Sequence, residues 1–90
     1  MSSERVRAIE AKLKQAFAPV KLLVKDQSHL HAGHEGAKAG GGHFHVTIVS
    51  AVFEDCRPLQ RHRMIFSALE SMMETEIHAL RIHANTPDEL

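Results

Sequence analysis

His43-Phe44-His45-Val46-Thr47-Ile48-Val49-Ser50 alternates apolar and polar side chains along its length. A period of two sends Phe44, Val46 and Ile48 to one face of a strand and His45 and Thr47 to the other. A strand with one apolar face needs a second layer to cover it. The rest of the chain supplies that layer in two helical stretches, one on each side.

Upstream, residues 20–26 alternate again. Val20, Leu22 and Val24 share one side and Lys21 and Lys25 the other, the pattern of a half-buried strand. Before them Val6, Ile9, Leu13 and Phe17 fall at helical spacing. This predicts a helix over residues 3–17, capped by Ser2 or Ser3, favoured by Glu4 in its first turn and ended by Pro19. Between the two strands, residues 28–42 read as a long loop. It holds all five glycines and the histidines His29, His31 and His34. Loops of this length inside a compact domain are usually functional or disordered, so mobility in the isolated protein is expected here.

Downstream, residues 51–57 read as a turn with Asp55 near its tip. Pro58 suits the first turn of a helix whose apolar face carries Ile65, Phe66, Leu69, Met72 and Met73. Residues 77–84 read as a third strand, and the tail from Asn85 as frayed. The order is α-β-β-α-β, a mixed α/β (α+β) two-layer sandwich on a three-stranded sheet, with residues 1–90 as a single domain. Val20, Leu22, Val24, Phe44, Val46, Ile48, Leu80 and Ile82 are expected to face Val6, Ile9, Leu13, Ile65, Phe66 and Leu69.

The chain has 90 residues, and 11 Lys and Arg balance 11 Asp and Glu, so no net charge draws it to nucleic acid or a membrane. No apolar run approaches a membrane span, and the first residues lack a secretory core, which predicts a cytoplasmic protein. The single cysteine, Cys56, excludes an internal disulfide and a four-thiolate metal site. Paired catalytic carboxylates, a phosphate-binding loop and a nucleophile elbow are all missing, which argues against an enzyme. Gly40-Gly41-Gly42 runs into a strand, so it opens no helix N-terminus to phosphate.

The outlier is histidine, eight in all, five of them between positions 29 and 45. Neutral imidazole is the commonest metal ligand and loops can re-aim ligands, yet spacing alone favours a polar surface loop for His29, His31 and His34. His78 opens the last strand with the parity of Leu80 and Ile82. By itself it reads as a hydrogen-bonding residue at a strand end, unless the sheet brings it to the loop. Arg61-His62-Arg63 is either a basic patch or a solvated helix face, and a chain without Tyr or Trp supplies little for base stacking.

Taken in order, these elements resemble the BolA family. Asp26-Gln27-Ser28, a His-containing loop and His43-Phe44 opening Val46-Thr47-Ile48-Val49-Ser50 are similar to the first half of its pattern. Phe53, Leu59-Gln60-Arg61-His62-Arg63, Ile77-His78-Ala79-Leu80 and Thr86-Pro87 are similar to the second. The match spans about Val20 to Pro87. Arg-His-Arg and Ile-His-Ala-Leu are specific only together.

The resemblance implies an α-β-β-α-β domain like a class II KH fold, with no enzymatic activity. It implies a monothiol glutaredoxin as partner and a [2Fe–2S] cluster held by the glutaredoxin cysteine, glutathione, and histidine or cysteine of the BolA protein. Carried onto this chain, the ligands are His78 and a loop histidine. His31, three positions after Ser28, and His34 compete for the second place. The alternative is a DNA-binding transcriptional regulator that uses the second helix through Arg61, His62 and Arg63, and the sequence leaves a homodimer open. Three departures stand out. Gly41 and Gly42 precede His43-Phe44 where many members carry bulkier residues. Asp55 replaces a glycine two after Phe53, a position Asp tolerates in left-handed conformation. No Gly-x-x-Gly loop joins two helices, which weakens a single-strand nucleic-acid role.

Overall fold

The first helix, α1 (Glu4–Phe17), places Glu4 in its first turn and Lys14 in its last, each matched to the helix dipole. Ile9, Leu13 and Phe17, four apart, form its buried stripe. In this computed structural model the described residues are 4–27, 42–73, 75 and 77–89. The expected loop mobility over residues 29–42, and the positions of His29, His31 and His34, therefore fall almost wholly outside the described residues.

Strand β1 (Lys21–Asp26) pairs antiparallel with β2 (Gly42–Val49), and β2 pairs parallel with β3 (Ile77–Asn85) in the order β1-β2-β3. A parallel pair needs a crossover. Helices α2 (Pro58–Ala68) and α3 (Glu70–Met73) supply it, and Pro58 stands at the start of α2 where its missing N–H costs nothing. The expected fold class agrees with this architecture. Phe44, Val46 and Ile48 are buried, so the strand register read from the alternation is correct. They pack with Ile9, Leu13, Ile65 and Leu69 in one apolar cluster between the sheet and the helices. Burying side chains of this size stabilises by about 1.5–3 kcal/mol each.

The joint between layers is polar and specific. The buried Ser50 hydroxyl donates to the Phe17 carbonyl at 2.7 Å and accepts from the Val52 N–H at 3.1 Å. One side chain thus closes the end of α1 and the short 3-10 turn Ala51–Phe53. Asp55 adopts φ 65°, the left-handed geometry expected of its place in the turn.

Four expectations need correction. Val20 is 71% exposed, because it lies one residue before β1 at the mouth of the sheet, where no layer covers it. Phe66 is also exposed: the buried stripe of α2 is set by Arg61, Ile65 and Leu69, which turns Phe66 aside. Apolar counting missed this because the stripe begins with an arginine. The second helix breaks at Leu69 instead of running on to Met73. The tail is not loose: β3 extends through Asn85, Thr86 is buried, and Pro87–Glu89 forms a 3-10 turn.

Candidate metal-ligating face

Among the described residues the helices cover one side of the sheet, and the other side carries histidines. The alternation that buries Phe44 and Val46 turns His43 and His45 to this open side. Strand β3 would present His78 with the core residues if it were regular. It is not regular: Gly42 pairs with Ile77, but His43 pairs with Ala79, so β3 carries one extra residue at His78. A bulge of this kind re-aims a side chain. Ile77 stays in the core, Leu80 packs against it, and the exposed His78 ring lies against His43 with centroids 5.2 Å apart and planes at 56°. The expected shared parity of His78 with Leu80 and Ile82 is therefore wrong, and His83 stands on the same face as His78. The bulge resets the alternation, and both rings stand on the open side.

His43 Nε2 is shut away from solvent. His78 is exposed, whereas His43 is half-buried. A second pair lies further along the strands, where His45 Nε2 and His83 Nδ1 are 2.9 Å apart. The parity of His43 and His45 was legible in the sequence. Their pairing with β3 was not, because it depends on a parallel register and a bulge. Among the described residues no group of three or more His, Cys, Asp or Glu is gathered to hold a metal.

The basic motif on α2 divides. Arg61 is buried: its Nε donates to the Cys56 carbonyl at 2.9 Å, and Nη1 donates to the Ala84 carbonyl at 2.9 Å. Nη1 and Nη2 also grip the two carboxylate oxygens of Glu89 at 2.7 and 2.9 Å, while Glu89 accepts from the Thr86 N–H at 2.8 Å. These bonds hold the Glu89 carboxyl down to about 2, the Arg61 side chain first and the Thr86 backbone second, and raise the Arg61 guanidinium. Arg61 is a structural rivet between α2 and the chain end, with its fork occupied, whereas Arg63 is exposed and His62 half-buried. Cys56 is a free, half-buried thiol whose Sγ lies 3.9 Å from the Met64 sulfur.

The family pattern described as BolA-like protein matches residues 13–89. The chain is 39% identical over 88 residues to the protein named BOLA1, chloroplastic, of Arabidopsis thaliana, covering 94% of this chain and 55% of that one. It is 40% identical over 81 residues to the protein named DNA-binding transcriptional regulator BolA of Haemophilus influenzae, covering 90% and 76%. Among solved structures, the BolA domain of SufE1 from Arabidopsis thaliana superposes with a TM-score of 0.88 at 37% identity over the full length of both chains. The chain thus spans little more than half of its Arabidopsis BOLA1 relative. The chain belongs to the BolA family, and one of these relatives is named a transcriptional regulator. Among the described residues no helix is long and apolar enough to cross a membrane.

Proposed function

Because the chain belongs to the BolA family, we propose that it is a non-enzymatic adaptor that binds a monothiol glutaredoxin and co-ligates a [2Fe–2S] cluster with it. The role is cluster assembly, trafficking or iron sensing, with glutathione completing the site. The observation that carries this reading is His78, an exposed imidazole raised on a strand bulge and braced by the His43 ring.

A donor set this sparse suits a shared site. With one cysteine and no three-ligand cluster among the described residues, the chain offers imidazole and leaves thiolates to its partner. Exchanging thiolate for neutral histidine reduces the negative charge of such a site and raises its potential. It also makes ligation responsive to protonation. His78 is held by the sheet and loses little freedom on ligation. The second ligand on this reading is His31 or His34, from the glycine-rich stretch between β1 and β2. A reducing compartment such as the cytoplasm keeps the free thiol and the partner's thiolates available. The test is anaerobic co-purification with a monothiol glutaredoxin, read by visible absorption and circular dichroism. A mixed complex with a cluster spectrum distinct from that of glutaredoxin alone supports the reading, and separate elution without a new spectrum contradicts it.

A second reading, a DNA-binding regulator, is favoured by the name of the Haemophilus influenzae relative. On this chain it rests on His62 and Arg63 rather than on Arg61, whose guanidinium is already engaged. Its signature is an affinity that falls steeply with salt.

A further inference from the structure

Beside the free edge of β3, away from the His43–His78 pair, lies a cleft of about 350 Å³. Its polar wall is made of His45, His62, Arg81 and His83, and Phe66 and Leu80 contribute apolar surface. Every polar side chain in this wall is a cation or can become one, and none is acidic. The cleft lies in the size range of small-ligand sites, where apolar walls bury a body and a few polar groups fix a charged end.

We propose that this cleft binds a phosphate monoester with an apolar or aromatic body, gripped by Arg81 and the His45–His83 pair. The pair carries the argument. With His45 Nε2 and His83 Nδ1 at 2.9 Å and the rings nearly edge to face, one ring donates its N–H to the other. Protonating both rings would break this bond and set two positive rings in contact beside Arg81, and beside Lys25, which stands opposite His45 on β1. Burial first, then His83, Arg81 and Lys25, hold His45 below its ordinary titration range, so the free cleft is short of protons. A dianion at the mouth reverses this balance and brings the missing proton in. A phosphodiester, with a single charge, compensates a doubly protonated pair less well. A divalent metal ion is disfavoured by Arg81 and Lys25. Phe66, left exposed on α2, gives the organic body a surface to cover.

The probe is phenyl phosphate, titrated into the full chain and followed by the imidazole resonances of His45 and His83. It is used at about pH 7 and about pH 8, where a second ionisation near 6 leaves the monoester a dianion. Binding is expected to tighten at least about threefold at the lower pH, the limit for one proton taken up being about tenfold. Inorganic phosphate binds more weakly, and Arg81→Gln and His83→Gln, both exposed positions, each weaken phenyl phosphate about tenfold, the loss of one charge-assisted contact. Resonances that do not move at millimolar probe overturn the proposal. So does pH-independent binding, or binding unchanged in both variants. A single-stranded oligonucleotide that binds with the same pH dependence and displaces the probe overturns the monoester assignment and gives the cleft to nucleic-acid backbone.

Discussion

His43 and His78 meet ring to ring, with centroids 5.2 Å apart, across the parallel junction where β3 carries one extra residue. The bulge turns His78 to the face of His43, and the two rings lie against each other there. In a mixed complex with glutaredoxin, His43→Ala is expected to shorten the lifetime of the cluster without abolishing its spectrum, and His43→Phe, which keeps a ring, to restore most of that lifetime. A His43→Ala complex as stable as the unaltered one would show that the brace is unnecessary.

Arg61 ties α2 to the chain end, and its loss leaves the Ala84 and Cys56 carbonyls without their donor. Arg61→Ala is expected to lower stability by about 2 kcal/mol, measured by denaturant unfolding. Arg63→Ala at an exposed position is expected to change it by less than about 0.5 kcal/mol. If the chain also binds DNA, only the second variant reduces affinity at unchanged stability.

The same anchor responds to acid. The Glu89 carboxyl is held at about 2 in the fold against an ordinary value of 4.5. Its contribution is complete above the unfolded value and is lost as pH falls from about 4.5 toward about 2. Thermal melts across this range are expected to fall more steeply for the unaltered chain than for Glu89→Gln. Parallel curves would mean that the ion pair contributes nothing to acid stability.

His45 responds in the same direction near neutrality. Its folded-state titration is pushed below the ordinary 6.5 by burial, His83, Arg81 and Lys25. The stability linked to its neutral form is present above that value and is lost as pH falls below it. His45→Gln is expected to flatten the decline in melting temperature as pH drops through about 6. An unchanged slope would assign the decline to other groups.

Ala18 ends α1 at φ 44°, a conformation that costs a residue with a Cβ about 1 kcal/mol. Ala18→Gly is expected to raise stability by about 0.5–1 kcal/mol, read from the midpoint of urea unfolding. A loss of stability would mean that the greater freedom of glycine in the unfolded chain outweighs the relief of strain.

The layers and the register of β2 were legible because Phe44, Val46 and Ile48 leave only one way to bury the strand. Pro58 and Asp55 were legible because each has a particular backbone use. What failed was what depends on contacts distant in sequence. Arg61 looked like a solvated cation until Glu89, 28 residues away, was seen to fold back on it. His78 looked like a core-side residue because a bulge leaves no mark in a period-two pattern. The meeting of His43 with His78 and of His45 with His83 depends on the register of β2 against β3 and on the bulge, which no local pattern encodes. His31 and His34, the alternatives for the second ligand, fall outside the described residues, so either one's part in the proposed site rests on the family resemblance.

The central claim is that His78 ligates a cluster shared with a monothiol glutaredoxin. The most direct measurement is the visible circular dichroism and decay rate of the anaerobic mixed complex, compared across the unaltered chain, His31→Ala, His34→Ala and His78→Ala. The account predicts that His78→Ala removes the spectrum of the mixed cluster or speeds its decay the most. Either loop variant should be partly rescued by the histidine that remains. A His78→Ala complex with unchanged spectrum and unchanged decay would contradict it.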